Sequence, residues 1–134
     1  MIDRRLDRVF LDANVFFSAA YRPDSGLLRL WAREDCRLIT SAFAYEEATR
    51  NLDSEEQTDR LEHLMADLTL VPESPRRPEH DAWSLPDKDV PILAAAVRAR
   101  ATHLLTGDLA HFGHLMGKSV DGVLVLRPAE YLKT

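Results

Sequence analysis

The chain alternates two kinds of apolar pattern, and that alternation constrains its fold more than any other feature. Four short apolar runs read as strands: RVFL at 8–11, RLIT at 37–40, HLLT at 103–106 and VLVL at 123–126. Between them lie segments with helical spacing. NVFFSAAY at 14–21 opens a helix directly behind the first strand. After a PDSG turn at 23–26, Leu27, Leu28, Leu30 and Trp31 form an apolar face reaching about Glu34. Thr40 or Ser41 caps a helix to about Leu52, with Ala44, Tyr45, Ala48 and Leu52 as its stripe. Ser54 and Gln57 make a capping box ahead of Leu61, Leu64, Met65 and Leu68. TLV at 69–71 is a short extended piece, and 89–100 is a helix with Ile92, Leu93, Ala96 and Val97 inward. Pro91 sits in its first turn, where a missing N–H costs nothing, and Pro128 opens a last short helix. The order β-α-α-β-α-α-β-α-β-β-α predicts an α/β sandwich with a mainly parallel central sheet. Right-handed crossovers would place helices on both faces.

A chain of 134 residues suits one domain, taken as 1–134, and buries about two-thirds of its unfolded surface without a disulfide or structural zinc. The lone Cys36 can build neither, so a reducing, cytoplasmic setting is expected, with Cys36 an inert thiol. The opening MIDRRLDRVFLD is charged and has no long apolar run, so neither a signal peptide nor a membrane anchor is expected there. The segment 72–86 holds prolines at 72, 75, 78 and 86 and is expected to be a surface loop.

The chemistry is carried by the placement of acids. Asp12 and Asp108 each follow a strand, and ligands of open α/β sheets sit at the carboxyl ends of strands. Asp89 heads a helix, three and four residues before the inward Ile92 and Leu93. In the pair Glu46–Glu47, helical angles favour Glu47 as the inward acid by a modest margin, and Glu46 remains the alternative. Each acid alone reads as a cap, turn or solvated residue. Converging together at about 6 Å, each pair would repel by roughly 3 kcal/mol at an effective dielectric near 20. A small domain tolerates that only with protonation, water or a cation. An oxygen-only set with no adjacent histidine selects hard dications, magnesium or manganese. His111 and His114 share a three-residue spacing, but a surface role is expected for both. The net charge of −5 argues against general polyanion coating. Setting aside Asp12, Glu47, Asp89 and Asp108 leaves −1, so local basic groups can still meet a phosphate backbone. Arg22, Arg29, Arg33, Arg50, Arg76, Arg77 and Lys88 are possible contacts, and Tyr21 and Trp83 possible stacking platforms.

The strings FLDANVFFSA at 10–19, TSAFAYEEATRNL at 40–52, PDKDVPILAAAVRARATHLLTGD at 86–108 and GVLVLRPAEYL at 122–132 resemble the PIN-domain family. More narrowly, they resemble the VapC-like toxins of bacterial type II toxin–antitoxin pairs. The resemblance implies a PIN-like three-layer α/β/α sandwich and a magnesium- or manganese-dependent ribonuclease. Asp12, Glu47, Asp89 and Asp108 match the family's acids, as metal ligands and catalytic groups. Asn14 and Thr106 match polar positions that orient those ligands, and Asp87 is an extra acid in the same supporting role. The implied partners are an RNA substrate, an antitoxin protein and a second copy of the chain, with no membrane. Three other readings compete. One is a PIN-like module that binds RNA or protein without catalysis, and another a housekeeping RNA-processing nuclease. The third is a haloacid-dehalogenase-type phosphatase, disfavoured because Asp12-Ala13-Asn14 lacks that chemistry's second acid.

Overall fold

The computed structural model describes residues 6–134. The reading of the charged opening segment rests partly on residues 1–5, which lie outside the described residues. Among the described residues, no helix is long and apolar enough to cross a membrane.

The described strands are β1 (Asp7–Leu11), β2 (Cys36–Thr40), β3 (Thr69–Leu70), β4 (His103–Leu105), β5 (Ser119–Val120) and β6 (Val123–Leu126). They form one sheet in the order β3-β2-β1-β4-β6-β5. Every pairing is parallel except β5 with β6. Val9, Phe10 and Leu11 of β1 are fully buried, as a central strand covered on both faces requires. The α-helices are α1 (Ala13–Tyr21), α2 (Arg29–Ala32), α3 (Ala42–Arg50), α4 (Glu55–Met65), α5 (Val90–Arg98), α6 (Leu109–Phe112) and α7 (Pro128–Leu132). Helix α1 packs on α3 and α4, and α5 packs on β4 and touches α3. This is the expected α/β sandwich with its mainly parallel sheet.

Local sequence explains where the helices begin. Asp12 caps α1, Ser41 caps α3, and Ser54 with Gln57 closes both hydrogen bonds of the capping box on α4. Pro91 stands at the start of α5. The core is continuous through the sheet, with Phe10, Phe16, Leu30, Ile39, Leu61, Ile92, Leu93 and Phe112 fully buried.

Three expectations change. The expected helix after the PDSG turn is a short 3-10 turn, Gly26–Leu28, running into the four-residue α2. The proline-rich 72–86 segment contains a 3-10 turn, Pro78–Trp83, that plugs into the core through Trp83, 6% exposed, and His80. The two rings stack at 4.4 Å, so Trp83 anchors the loop and is not an open platform for bases. Finally, the apolar pattern predicts no strand at Ser119–Val120, where the structure has β5. It joins β6 through Asp121 and Gly122, both at positive φ, which is the mirror-image turn that matches strand twist.

The topology fixes where a ligand can bind. From β1 the chain moves to β2 and β3 on one side, then crosses to β4 on the other. The order reverses between β1 and β4, and the crevice at the carboxyl ends of these two strands is the binding position of open α/β sheets. Asp12 leaves β1 there, and Thr106, Gly107 and Asp108 leave β4 there.

Candidate metal centre

Asp12 is the most constrained acid of the crevice. It is 4% exposed. Its Oδ1 accepts from the Ala13 amide at 2.7 Å, and its Oδ2 accepts from Thr106 Oγ1 at 2.8 Å and Asn14 Nδ2 at 3.2 Å. Asn14 Nδ2 also donates to Thr106 Oγ1 at 3.1 Å, and its Oδ1 accepts from the Gly107 amide at 2.7 Å. Asn14 and Thr106 therefore tie the end of β1 to the end of β4 and hold the carboxylate between them. Asn14, at the place where a phosphatase of the competing type would need an acid, serves here as a brace. Burial pushes the Asp12 carboxyl up to about 6, against its hydrogen bonds from Thr106 and Ala13. The charges of Asp89 and Glu47 push in the same direction as burial.

Asp89, 8% exposed, stands at the head of α5. Its carboxyl is also raised, by burial first, with His111 and Lys88 opposing and Asp108 and Glu47 adding to the rise. Asp108 caps α6: its Oδ1 accepts from the His111 amide at 3.1 Å. That cap turns the His111 ring back onto the acids. His111 Nδ1 lies 2.8 Å from Asp108 Oδ2 and 3.0 Å from Asp89 Oδ2. Neither approach is aligned as a hydrogen bond, and Asp89 Oδ2 and His111 Nδ1 are both buried without a hydrogen-bond partner.

Glu47 is half-buried on α3 and lines the same cavity as Asp12, Asp89 and Asp108, while Glu46 is exposed and does not. The cavity holds about 580 Å³ and is also bordered by Asn14, Phe17, Ser18, Asn51, Lys88 and Gly107. All four acids singled out in the sequence thus face one hollow. Asp87 does not: its fully solvated side chain pairs with Arg76 Nη1 at 2.7 Å, outside the cavity. The sequence reading expected no histidine beside these acids, and the structure places His111 next to Asp89 and Asp108. His114 lies at the surface as expected, with its Nε2 2.7 Å from the Trp83 carbonyl, whereas His111 is half-buried against the acids. The signal that finds His111 is its position three residues after a helix-capping aspartate.

Of the basic residues, Lys88 borders the cavity and Arg22 borders an adjoining hollow that shares Phe17 and Ser18 with it. Arg76 is held by Asp81 and Asp87, and Arg33 is held by Asp35 beyond the opposite ends of the strands. Tyr21, 41% exposed, lines the adjoining hollow beside Phe17.

These donors fit a divalent cation. Ligand atoms of Asp89, Asp108 and His111 lie within 4.8 Å of one another. Asp89 Oδ2 and His111 Nδ1 have no hydrogen bond, and Asp12 and Glu47 line the cavity that Asp89 and Asp108 also line. Buried acids of like charge are costly unless a cation or a proton compensates them.

Comparison with known proteins agrees with this architecture. VapBC2 from Rickettsia felis, solved bound to a DNA fragment from its promoter, matches over 90% of this chain and 98% of its own at 15% identity, TM-score 0.59. VapBC-1 from nontypeable Haemophilus influenzae matches over 91% of this chain and 98% of its own at 16% identity, TM-score 0.60. At these identities the likeness is one of fold. No curated protein matches the chain. The PIN domain family model matches residues 8–110, a span that takes in Asp12, Glu47, Asp89 and Asp108, and the chain belongs to the PIN-domain family.

Proposed function

We propose that this chain is a divalent-cation-dependent endoribonuclease and the toxin of a type II toxin–antitoxin pair. The observation that carries the reading is the single cavity at the β1/β4 crevice faced by Asp12, Glu47, Asp89 and Asp108 in a PIN-family fold. Magnesium or manganese, when bound, would polarise water and a phosphoryl oxygen for in-line displacement. Asp12, Asp89 and Asp108 would hold it, with Glu47 completing the set. Thr106 and Asn14 keep the Asp12 oxygens in fixed directions, which is how outer partners sharpen a metal site. Lys88, at the rim, offers a positive charge to the phosphate backbone. The carboxylates accept protons, and no protein nucleophile is required. Cleavage by this route leaves a 5′-phosphate and a 3′-hydroxyl.

The partner proposal rests on the fold's likeness to the toxin–antitoxin complexes named above. Residues 1–134 would act as one PIN unit in the cytoplasm, self-associate as a homodimer and be neutralised by a cognate antitoxin. The test is direct. Purified protein is incubated with single-stranded and structured RNA, with magnesium or manganese and then with a chelator. Cleavage that needs the cation and falls at least about 100-fold in Asp12→Asn is expected. An Asp12→Asn protein that cuts as fast as the wild type overturns the assignment.

A further inference from the structure

We propose that His111 is a nitrogen ligand of the cation, which makes the site select a first-row transition ion over magnesium. The inference rests on the cation-site reading above and extends it to a residue outside the four acids. Three observations carry it.

The first is distance. For donors about 2.1 Å from an octahedral ion, neighbours at right angles stand about 3.0 Å apart. His111 Nδ1 lies 2.8 Å from Asp108 Oδ2 and 3.0 Å from Asp89 Oδ2, matching two edges of such a polyhedron.

The second is direction. A histidine that only paired with these acids would aim its N–H at an oxygen. His111 Nδ1 is buried and makes no hydrogen bond, and Asp89 Oδ2, on a residue 8% exposed, makes none either. The two atoms stand 3.0 Å apart, at ion-pair distance but without a hydrogen bond, and so leave a place for a cation between them.

The third is the scaffold. Asp108 Oδ1 accepts from the His111 backbone amide, so one carboxylate fixes the imidazole's helix while its other oxygen faces the ring. The ring remains partly exposed, with a 33% accessible side chain, so the proton can reside on Nε2 while Nδ1 serves as donor.

The consequence is selectivity. Imidazole nitrogen adds little to the binding of magnesium, which takes oxygen donors. It favours ions of the manganese-to-zinc series.

Manganese alone and magnesium alone are the probes. Wild-type protein labelled with ¹⁵N-histidine is loaded with Mn²⁺ and examined by pulsed electron paramagnetic resonance. Binding of both ions is measured by calorimetry for wild type and His111→Gln. The expected result is a histidine-nitrogen coupling to Mn²⁺ and a preference for Mn²⁺ over Mg²⁺ of at least about tenfold. His111→Gln is expected to lose the coupling and about tenfold in Mn²⁺ affinity, with Mg²⁺ affinity nearly unchanged. Mn²⁺ binding without nitrogen coupling overturns the role of His111 and leaves the carboxylate site standing. Equal losses for both ions in His111→Gln also overturn it. Failure of the wild type to bind either ion overturns both readings together. The nitrogen coupling is read on the wild type, so it does not depend on the variant folding.

Discussion

Asp12 shows how a residue can be costly to the fold and necessary to the site. Its carboxyl is pushed from an ordinary 3.8 to about 6, chiefly by burial, so keeping it ionised at neutral pH costs about 3 kcal/mol. The folded state holds this proton more tightly than the unfolded state. Its contribution to stability is therefore complete below about pH 4 and lost as pH rises through about 6. Cation-free protein is expected to melt at a higher temperature at pH 5 than at pH 7.5, through this group. Saturating manganese should remove that difference, and thermal melts with and without the ion check both. Asp12→Asn should raise cation-free stability at pH 7.5 by about 1–3 kcal/mol while abolishing cleavage. Thr106→Val acts in the opposite sense. It removes a donor to Asp12 Oδ2 and the acceptor for Asn14 Nδ2 and the Asp108 amide. We expect a loss of about 1–3 kcal/mol by denaturant titration and of about tenfold in cation affinity by calorimetry. The position of Asp12 was legible because a strand ending in an acid is a local pattern. The approach of His111 was not, because an N-cap sets the direction of a ring only after the helix exists.

At the scale of elements, the helix and strand periods located most of the scaffold, and the misses have local causes. Strand β5 has two residues, too few for any period to register, yet Asp121-Gly122 between Val120 and Val123 is a hairpin signal in its own right. The 72–86 segment read as loop because proline dominates it. Its inward Trp83 and His80 follow no repeat. The end of α5 has a testable feature. The Arg100 amide donates to Val97 O at 3.0 Å, and the Ala101 amide to Ala96 O at 2.9 Å, the bonding of a helix stop that favours glycine. Arg100 instead holds a left-handed φ of 56°. Arg100→Gly is expected to stabilise the protein by about 1 kcal/mol, seen as a rise in melting temperature with unchanged cation affinity. Helix α1 bears on the substrate. Asn14, Phe17, Ser18 and Tyr21 follow helical spacing along one face, from the Asp12 cap toward the adjoining hollow. Tyr21→Ala should raise KM for single-stranded RNA about tenfold and leave kcat nearly unchanged, if Tyr21 stacks on a base next to the scissile phosphate.

Across the whole molecule, the two ends of the sheet divide stability from chemistry. At the carboxyl ends, buried acids oppose folding. At the amino ends, a polar clasp supports it. Tyr131 of α7 is fully buried and donates its hydroxyl to Asp7 Oδ2 of β1 at 2.8 Å, while the Arg33 guanidinium lies 4.7 Å from the ring centre. Burial and the Asp7 acceptor raise the Tyr131 hydroxyl far above its ordinary value, so it remains a donor at every working pH. The clasp pins the last helix to the first strand. Asp7 and Asp12 are separated by the length of β1, about 16 Å at 3.3 Å per residue. Tyr131→Phe should lower stability by about 1 kcal/mol, because it leaves a part-buried carboxylate without its donor. It should not change cation affinity or cleavage. Asp12→Asn should do the reverse on both counts. Sites this far apart with no shared partner add within about 0.5 kcal/mol, so the double variant should have a stability equal to the sum of the two singles. Chemical denaturation of the four proteins measures it. Marked non-additivity would mean that strain at the carboxylate cluster reaches the clasp through β1, and the strand would then be a coupled element rather than a rigid spacer.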